Sequence, residues 1–276
     1  MSGFQLSTTA WPSSYGEEAK ERVGFFTDTS LCIGCKACEV ACKEWNQVPE
    51  DGLDFLGLSM DNTGGLGAST WRHVAFVEQK VETFDAVEGL RWLMSSDVCK
   101  HCTHAACLDV CPTGSLFRTE HGTVVVQEDI CNGCGYCVPA CPFGVLDRRE
   151  EDGRVWKCTL CYDRLQDDQE PACAKACPTN SIQFGELGEL RERAGKRVEE
   201  LQARGEASAQ LYLDGPEDGI GGAGAFFLLL DKPEVYGPPP NPVDATRDLG
   251  ETWGATAGAA VAMGVAVVGA LLWGRR

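Results

Sequence analysis

Sixteen cysteines stand in this chain of 276 residues, and their spacing is the first sign of chemistry. They fall in four groups, at 32 to 42, 99 to 111, 131 to 141 and 158 to 177. The third, within DICNGCGYCVPACPFG, sets Cys131, Cys134, Cys137 and Cys141 in the order C-x2-C-x2-C-x3-C-P. That is the bacterial ferredoxin run, in which three thiolates hold one cubane cluster and the fourth reaches a second. The first group repeats it with Cys32, Cys35, Cys38 and Cys42, although Lys43 stands where proline would. The second runs C-x2-C-x4-C-x3-C-P through Cys99, Cys102, Cys107 and Cys111, and the fourth C-x2-C-x11-C-x3-C-P through Cys158, Cys161, Cys173 and Cys177. Four groups of four thiols form an internal repeat and predict four 4Fe-4S clusters.

Zinc is the competing metal for four-cysteine sites. A zinc site draws on two separated C-x2-C pairs and has no use for a third cysteine two residues on, a fourth three further and then proline. Small residues inside the runs (Gly34, Ala37, Gly133 and Gly135) let the backbone curl close to a cluster. Pro112, Pro142 and Pro178 turn the chain away behind it. His101 and His104 lie within the second group, where four cysteines already supply the ligands, so they read as loop residues that tune a potential or face solvent. Lys36, Lys100 and Lys157 adjoin cluster cysteines and read as solvated surface, with a cation near a cluster favouring its reduced state.

The formal charge is -17, and each cluster with four thiolates adds roughly two further negative charges when oxidised. With no basic stripe, nucleic acid is excluded as a partner, since its binding rests on Lys and Arg neutralising phosphates. Clustered cysteines destined for metal imply assembly in a reducing cytoplasm rather than a secreted disulfide framework. Nothing in the sequence makes bonds: no activated nucleophile and no paired carboxylates stand in an evident pocket. The clusters pass single electrons, and substrate chemistry lies elsewhere.

The elements that must position these groups are short. SLFRTE with TVVVQ, and GVLDRR with RVWK, read as hairpins turning at His121-Gly122 and Asp152-Gly153. HVAFVEQ alternates as a strand within the cysteine-free stretch 43–98, whose span 46–90 reads as an insertion carrying a Gly-rich loop, DNTGGLGAS. SIQFG closes a strand, and the helix after it places Leu187, Leu190, Ala194, Val198 and Leu201 on one face. GIGGAG matches a dinucleotide fingerprint but precedes the strand-like FFLLL rather than a helix, so it reads as a hairpin loop. YGPPPNP is expected to be an extended spacer.

Gly254 to Trp273 are twenty residues without a charge, flanked by Trp253, Arg275 and Arg276, which matches a transmembrane helix and its interfacial anchors. Gly254, Gly258 and Ala262 give that helix a small face suited to packing on another. Residues 1–24 lack the basic and apolar regions of a secretory signal and read as an exposed or partner-docked tail.

The stretches CIGCKACEVACKEWN, RWLMSSDVCKHC, CTLCYDRLQDDQEPACAKACPTNSIQFG and DKPEVYG, followed by the terminal helix, resemble a known family. It is the four-cluster iron-sulfur subunits that serve molybdenum or tungsten oxidoreductases of the dimethyl sulfoxide reductase class. Within it the chain is most similar to the β subunits of membrane-bound formate dehydrogenase of the formate dehydrogenase-N type. The likeness runs from about Phe25 to the end, weakest at 46–90 and 186–225.

The resemblance implies an α+β fold of two ferredoxin-like 4Fe-4S dicluster halves with hairpin insertions, plus one C-terminal transmembrane helix. Half one comprises residues around 25–45 and 156–186, half two those around 91–155. Together they form a four-cluster domain over 25–235, followed by a linker at 236–252 and the membrane helix at 253–274. Carried over by position, one half holds Cys32, Cys35, Cys38 and Cys177 around one cluster, with Cys42, Cys158, Cys161 and Cys173 around its neighbour. The other holds Cys99, Cys102, Cys107 and Cys141, with Cys111, Cys131, Cys134 and Cys137.

Implied partners are a molybdenum or tungsten bis-pterin catalytic subunit that oxidises formate, a membrane cytochrome b subunit that reduces quinone, and the bilayer itself. The chain would be a non-catalytic electron-transfer subunit. The same wire in a nitrate, thiosulfate, polysulfide or hydrogen enzyme is the alternative, and a zinc-binding membrane module the competing class. Arg275 and Arg276 bias the C-terminus to the cytoplasm, which puts the cluster domain on the outer face of the cell membrane, exported folded with its catalytic partner.

Overall fold

The structure is a computed structural model that describes residues 19–273 apart from 53–54, 58–59, 61–62 and 83–87. Most of the N-terminal tail, part of the Gly-rich loop, Arg275 and Arg276 lie outside those residues. One four-stranded sheet ties the two ends of the domain together. Its order is β8-β1-β10-β9, where β1 is Val23–Asp28, β8 Ile182–Glu186, β9 Gln210–Tyr212 and β10 Ala225–Leu229. Strands β8 and β9 flank antiparallel, while β1 and β10 run parallel across some two hundred residues of sequence, pairing Phe26 with Phe226.

Alternation along β1 separates two cores, because successive side chains leave a strand on opposite faces. Phe25 turns into a core that holds Cys38, Cys42, Cys99, Cys137, Cys158 and Cys173 among valines and leucines. Phe26 turns the other way and stacks on Phe226, their ring centroids 5.3 Å apart. The long helix Leu187–Ala203, α6 in chain order, covers that second face with Leu187, Leu190, Ala194 and Leu201, and Val198 packs at its margin. The 3.6-residue pattern read from the sequence is therefore the buried stripe.

Both small hairpins form as expected: β4 (Leu116–Arg118) with β5 (Val124–Val126), and β6 (Asp147–Arg148) with β7 (Val155–Trp156). HVAFVEQ lies in β2 (Arg72–Glu82), whose partner β3 (Glu88–Val98) the sequence did not announce. Strand β3 runs through residue 90 and feeds directly into Cys99, so the base of this long hairpin stands among the cysteine loops. GIGGAG connects β9 to β10 and backs the second cysteine group: Thr103 and His104 donate their amides to the Gly222 and Ile220 carbonyls at 2.9 and 2.8 Å.

The Pro-rich run is not a free spacer. Tyr212 donates its hydroxyl to the Pro239 carbonyl, Tyr236 and Asp244 are buried, and Thr246 donates to Asp109 at 2.9 Å. Proline removes amide donors but leaves carbonyls free to accept, so the segment straps onto the domain. Beyond it α7, Leu249–Trp273, has mean hydropathy 2.1 over its most apolar window and no buried residue. It is long and apolar enough to cross a membrane. Thr252 and Thr256 return their hydroxyls to the carbonyls four residues back, which satisfies both within the helix.

Candidate iron-sulfur centres

Left-handed residues bend the cysteine loops inward. In the first group Gly34 and Lys36 sit at φ 66° and 59°, after which α1 (Ala37–Asn46) starts and delivers Cys38 and Cys42 from consecutive turns. In the third, Gly133 and Gly135 have φ 70° and 78°, and a Cβ on Gly133 would lie 2.2 Å from the Gly153 carbonyl oxygen of the β6-β7 turn. Glycine is thus required there by conformation and by space. The fourth group has no glycine, and Leu160 and Cys161 themselves adopt φ 59° and 48°, a strain of about 1–2 kcal/mol per residue that surrounding contacts must hold.

Thiols from different cysteine groups meet in the fold. Cys32, Cys35, Cys38 and Cys177 line one cavity with Val74, Ser96 and Ser181. Burial pushes the Cys42 thiol up, and the charges of Cys158, Cys173 and Cys161 push it further. Burial likewise raises Cys102, with Cys99, Cys107 and Cys141 adding to it. Cys137 rises to about 11 by burial, offset by its own amide and reinforced by Cys111, Cys131 and Cys134.

Influence also passes between these groups. Cys38 feels Cys173, Cys158 (pushed to about 12, first by burial) feels Cys99, and Cys107 feels Cys137. Cys35 and Cys134 are exposed, whereas Cys42, Cys158, Cys161 and Cys173 are buried.

Such a donor set fits an iron-sulfur core. Four buried thiols that repel one another's ionised forms need positive charge at their centre, and a cubane takes four thiolates. Cys32, Cys35, Cys38 and Cys177 surround a cavity rather than a point, and among the described residues no three His, Cys, Asp or Glu side chains close around a single ion. Donors to sulfur are in place: the Leu160 amide 3.3 Å from Cys158 Sγ, the Val155 amide 3.5 Å from Cys131 Sγ, and Asn46 Nδ2 3.7 and 3.8 Å from Cys42 and Cys161 Sγ. At Cys111 burial would raise the thiol, but hydrogen bonds from Leu116, Ser115 and Thr113 bring it to about 7.

Lys36 is partly exposed, but the other two flanking lysines are not surface residues. Lys100 and Lys157 are each 1 % exposed. Lys100 Nζ bonds the Val98 carbonyl at 2.8 Å and the Asp97 carboxylate and lies 5.1 Å from the Phe143 and Phe227 rings. Lys157 Nζ donates to the carbonyls of Val124 and, at 2.8 Å, Cys158. The expectation of solvated lysines fails for these two because the fold supplies partners that offset the cost of burying a cation: the Asp97 carboxylate and Val98 carbonyl for Lys100, the Val124 and Cys158 carbonyls for Lys157. His101 does not face solvent either. It is 1 % exposed, its Nδ1 accepts the Val124 amide at 3.1 Å, and burial, then Lys157, Arg22 and Arg118, hold it neutral.

Sequence reasoning also missed Arg72, Ser96 and Asn46. Asn46 had a signal, standing one helical turn after Cys42; Arg72 and Ser96 come from the hairpin and had none.

Two family models for a 4Fe-4S dicluster domain match residues 31–115 and 90–187. The formate dehydrogenase iron-sulfur subunit of Haemophilus influenzae is 43% identical over 229 residues, covering 82% of this chain and 70% of its own. The iron-sulfur subunit of the nitrate-inducible formate dehydrogenase of Escherichia coli is 41% identical over 243 residues, 86% of this chain and 80% of its own. The chain belongs to the family of formate dehydrogenase iron-sulfur subunits. The B subunit of the anaerobic dimethyl sulfoxide reductase of Escherichia coli shares 36% over 177 residues, 62% of this chain and 77% of its own, which marks the wider class.

An iron-sulfur subunit of this class is an electron-transfer protein. It carries 4Fe-4S clusters in two ferredoxin-like dicluster domains, which accounts for four, and works as one subunit among others. Zinc is thereby set aside.

Proposed function

We propose that the sixteen cysteines hold four clusters in the four sets above. In order along the row these are Cys32/Cys35/Cys38/Cys177, Cys42/Cys158/Cys161/Cys173, Cys99/Cys102/Cys107/Cys141 and Cys111/Cys131/Cys134/Cys137. The observation that supports this order is the influence of Cys38 with Cys173, Cys158 with Cys99 and Cys107 with Cys137, with one exposed thiol, Cys35 or Cys134, in each end set and all four thiols of the second set buried. When bound, the clusters supply single-electron chemistry. The protein keeps water from the interior sets, fixes sulfur donors around them and balances their charge with buried cations.

The electrons come from formate, oxidised by a molybdenum or tungsten bis-pterin subunit docked at one end of the row, and leave to a cytochrome b subunit in the membrane. The names and coverage of the formate dehydrogenase relatives support this donor over the sulfoxide enzymes, whose relative matches less of the chain. The segment 25–235 acts as the redox body, with half one formed around 25–45 and 156–186 and half two around 91–155. Helix α7 anchors it beside the cytochrome, with the cluster domain on the outer face.

The ligand sets predict about sixteen iron atoms and as many acid-labile sulfides per chain, four of each per cluster, in the complex purified without oxygen. A value near twelve would remove one set from the proposal.

A further inference from the structure

Arg72 opens β2 at the base of the hairpin and is 1 % exposed. Its Nη1 donates to Ser96 on the facing strand, at 3.1 Å to the hydroxyl and 3.3 Å to the carbonyl. That hydroxyl lies 3.3 Å from Cys38 Sγ. The guanidinium packs 4.7 Å over the Phe25 ring. Its Nε and Nη2 are buried and have no partner among the described residues.

An unpaired buried guanidinium is costly, and among the described residues no carboxylate forms an ion pair with this one. Burial acts against its charge, and what sustains it is Cys173, Cys38, Cys158 and Cys42. Those four thiols belong to two different sets, Cys38 to the first and the others to the second. Two spare donors and one uncompensated charge therefore stand at the junction of two neighbouring sets.

We propose that Arg72 is the shared counter-charge and hydrogen-bond donor of these two clusters, a positioning residue that raises both their potentials and keeps their negative charges from repelling each other. This rests on the ligand sets proposed above. Each cluster gains one electron on reduction, so its negative charge grows. A fixed cation in a site of low dielectric stabilises the more negative state and makes reduction easier. Electrons arriving at the first or second cluster then find two adjacent sites of raised and similar affinity, which keeps the step between them from running uphill. Arginine suits the role because it stays charged when buried and its planar fork can serve two acceptors at once. The hairpin, which lies outside both cysteine-run patterns, thus gains a redox purpose at its base.

The test is a redox titration of the purified complex, followed by electron paramagnetic resonance, for Arg72→Gln and Arg72→Lys. Arg72→Gln should leave two of the four clusters at least tenfold less reduced at a given ambient potential, about 59 mV for one electron, with the other two unmoved. Arg72→Lys, which keeps the charge, should restore most of the shift. Full iron with unshifted potentials in Arg72→Gln, or an equal shift of all four clusters, would overturn the proposal. If Arg72→Gln loses iron, Arg72→Lys decides: retained iron with near-wild-type potentials supports a role for the charge, and loss from both variants makes Arg72 a packing residue and ends the proposal. A wild-type complex short of four clusters would instead fail the ligand sets, so the two readings fail separately.

Discussion

Cys158→Ala should cut electron flow from the catalytic partner to the membrane by more than the about 10–100-fold that loss of a supporting contact costs a metal site. In the proposed ligand sets Cys158 belongs to the second and is the thiol that feels Cys99 of the third, so on that proposal its cluster is the step by which one half of the protein hands on to the other. A row has no detour around an interior member. Removing the thiol also leaves its partners Cys42, Cys161 and Cys173 buried around an incomplete centre, and iron should fall from about sixteen to about twelve, or to fewer if the first set follows.

The measurement pairs two assays on one preparation: formate-dependent reduction of a soluble dye that accepts electrons at the catalytic subunit, and formate-dependent reduction of membrane quinone. Dye reduction should persist and quinone reduction should vanish. Quinone reduction at the wild-type rate with iron near twelve would mean that the row is not the path.

Removing residues 253–276 should move the chain from the membrane fraction to the soluble one, close to all or none, because insertion of a transmembrane helix is effectively irreversible. In the structure no residue of α7 is buried, and Trp253, Val261, Leu271 and Trp273 are among its exposed apolar side chains. Apolar surface of that extent needs lipid or a partner helix to cover it, and the Gly254, Gly258 and Ala262 face suits the latter. Since the helix contributes nothing buried to the cluster domain, the truncated chain should keep its iron. The check is fractionation after a high-salt wash, which strips proteins held by charge alone. Retention of the truncated chain in washed membranes would count against α7 as the anchor.

What the sequence made legible is what depends on local rules. The four cysteine runs, the two short hairpins, the buried stripe Leu187–Leu190–Ala194–Leu201 and the apolar tail all follow from spacing within one element. The parallel pairing of β1 with β10 was not legible, because nothing in VGFFTD names AFFLL as its neighbour two hundred residues away.

Lys100 and Lys157 were misread for a physical reason. Lysine is almost never fully buried unless paired, and what surrounds these two comes in part from other cysteine groups, Cys141 near Lys100 and both Cys107 and the Val124 carbonyl near Lys157. Only when the four groups fold together does a lysine beside a cysteine become an interior charge. The Pro-rich strap was misread similarly: its composition suits an extended solvated chain, yet Tyr236 and Asp244 find burial that only the folded domain offers.

The central claim is that this chain carries electrons from formate through four clusters. Its most direct test is electron paramagnetic resonance on the native complex, extracted in detergent and frozen without oxygen before and after adding formate. Signals of reduced 4Fe-4S clusters appearing with formate, and matching in number those that dithionite produces, are the expected result. Clusters that dithionite reduces but formate leaves untouched would contradict the formate assignment and pass the wire to another enzyme of the class.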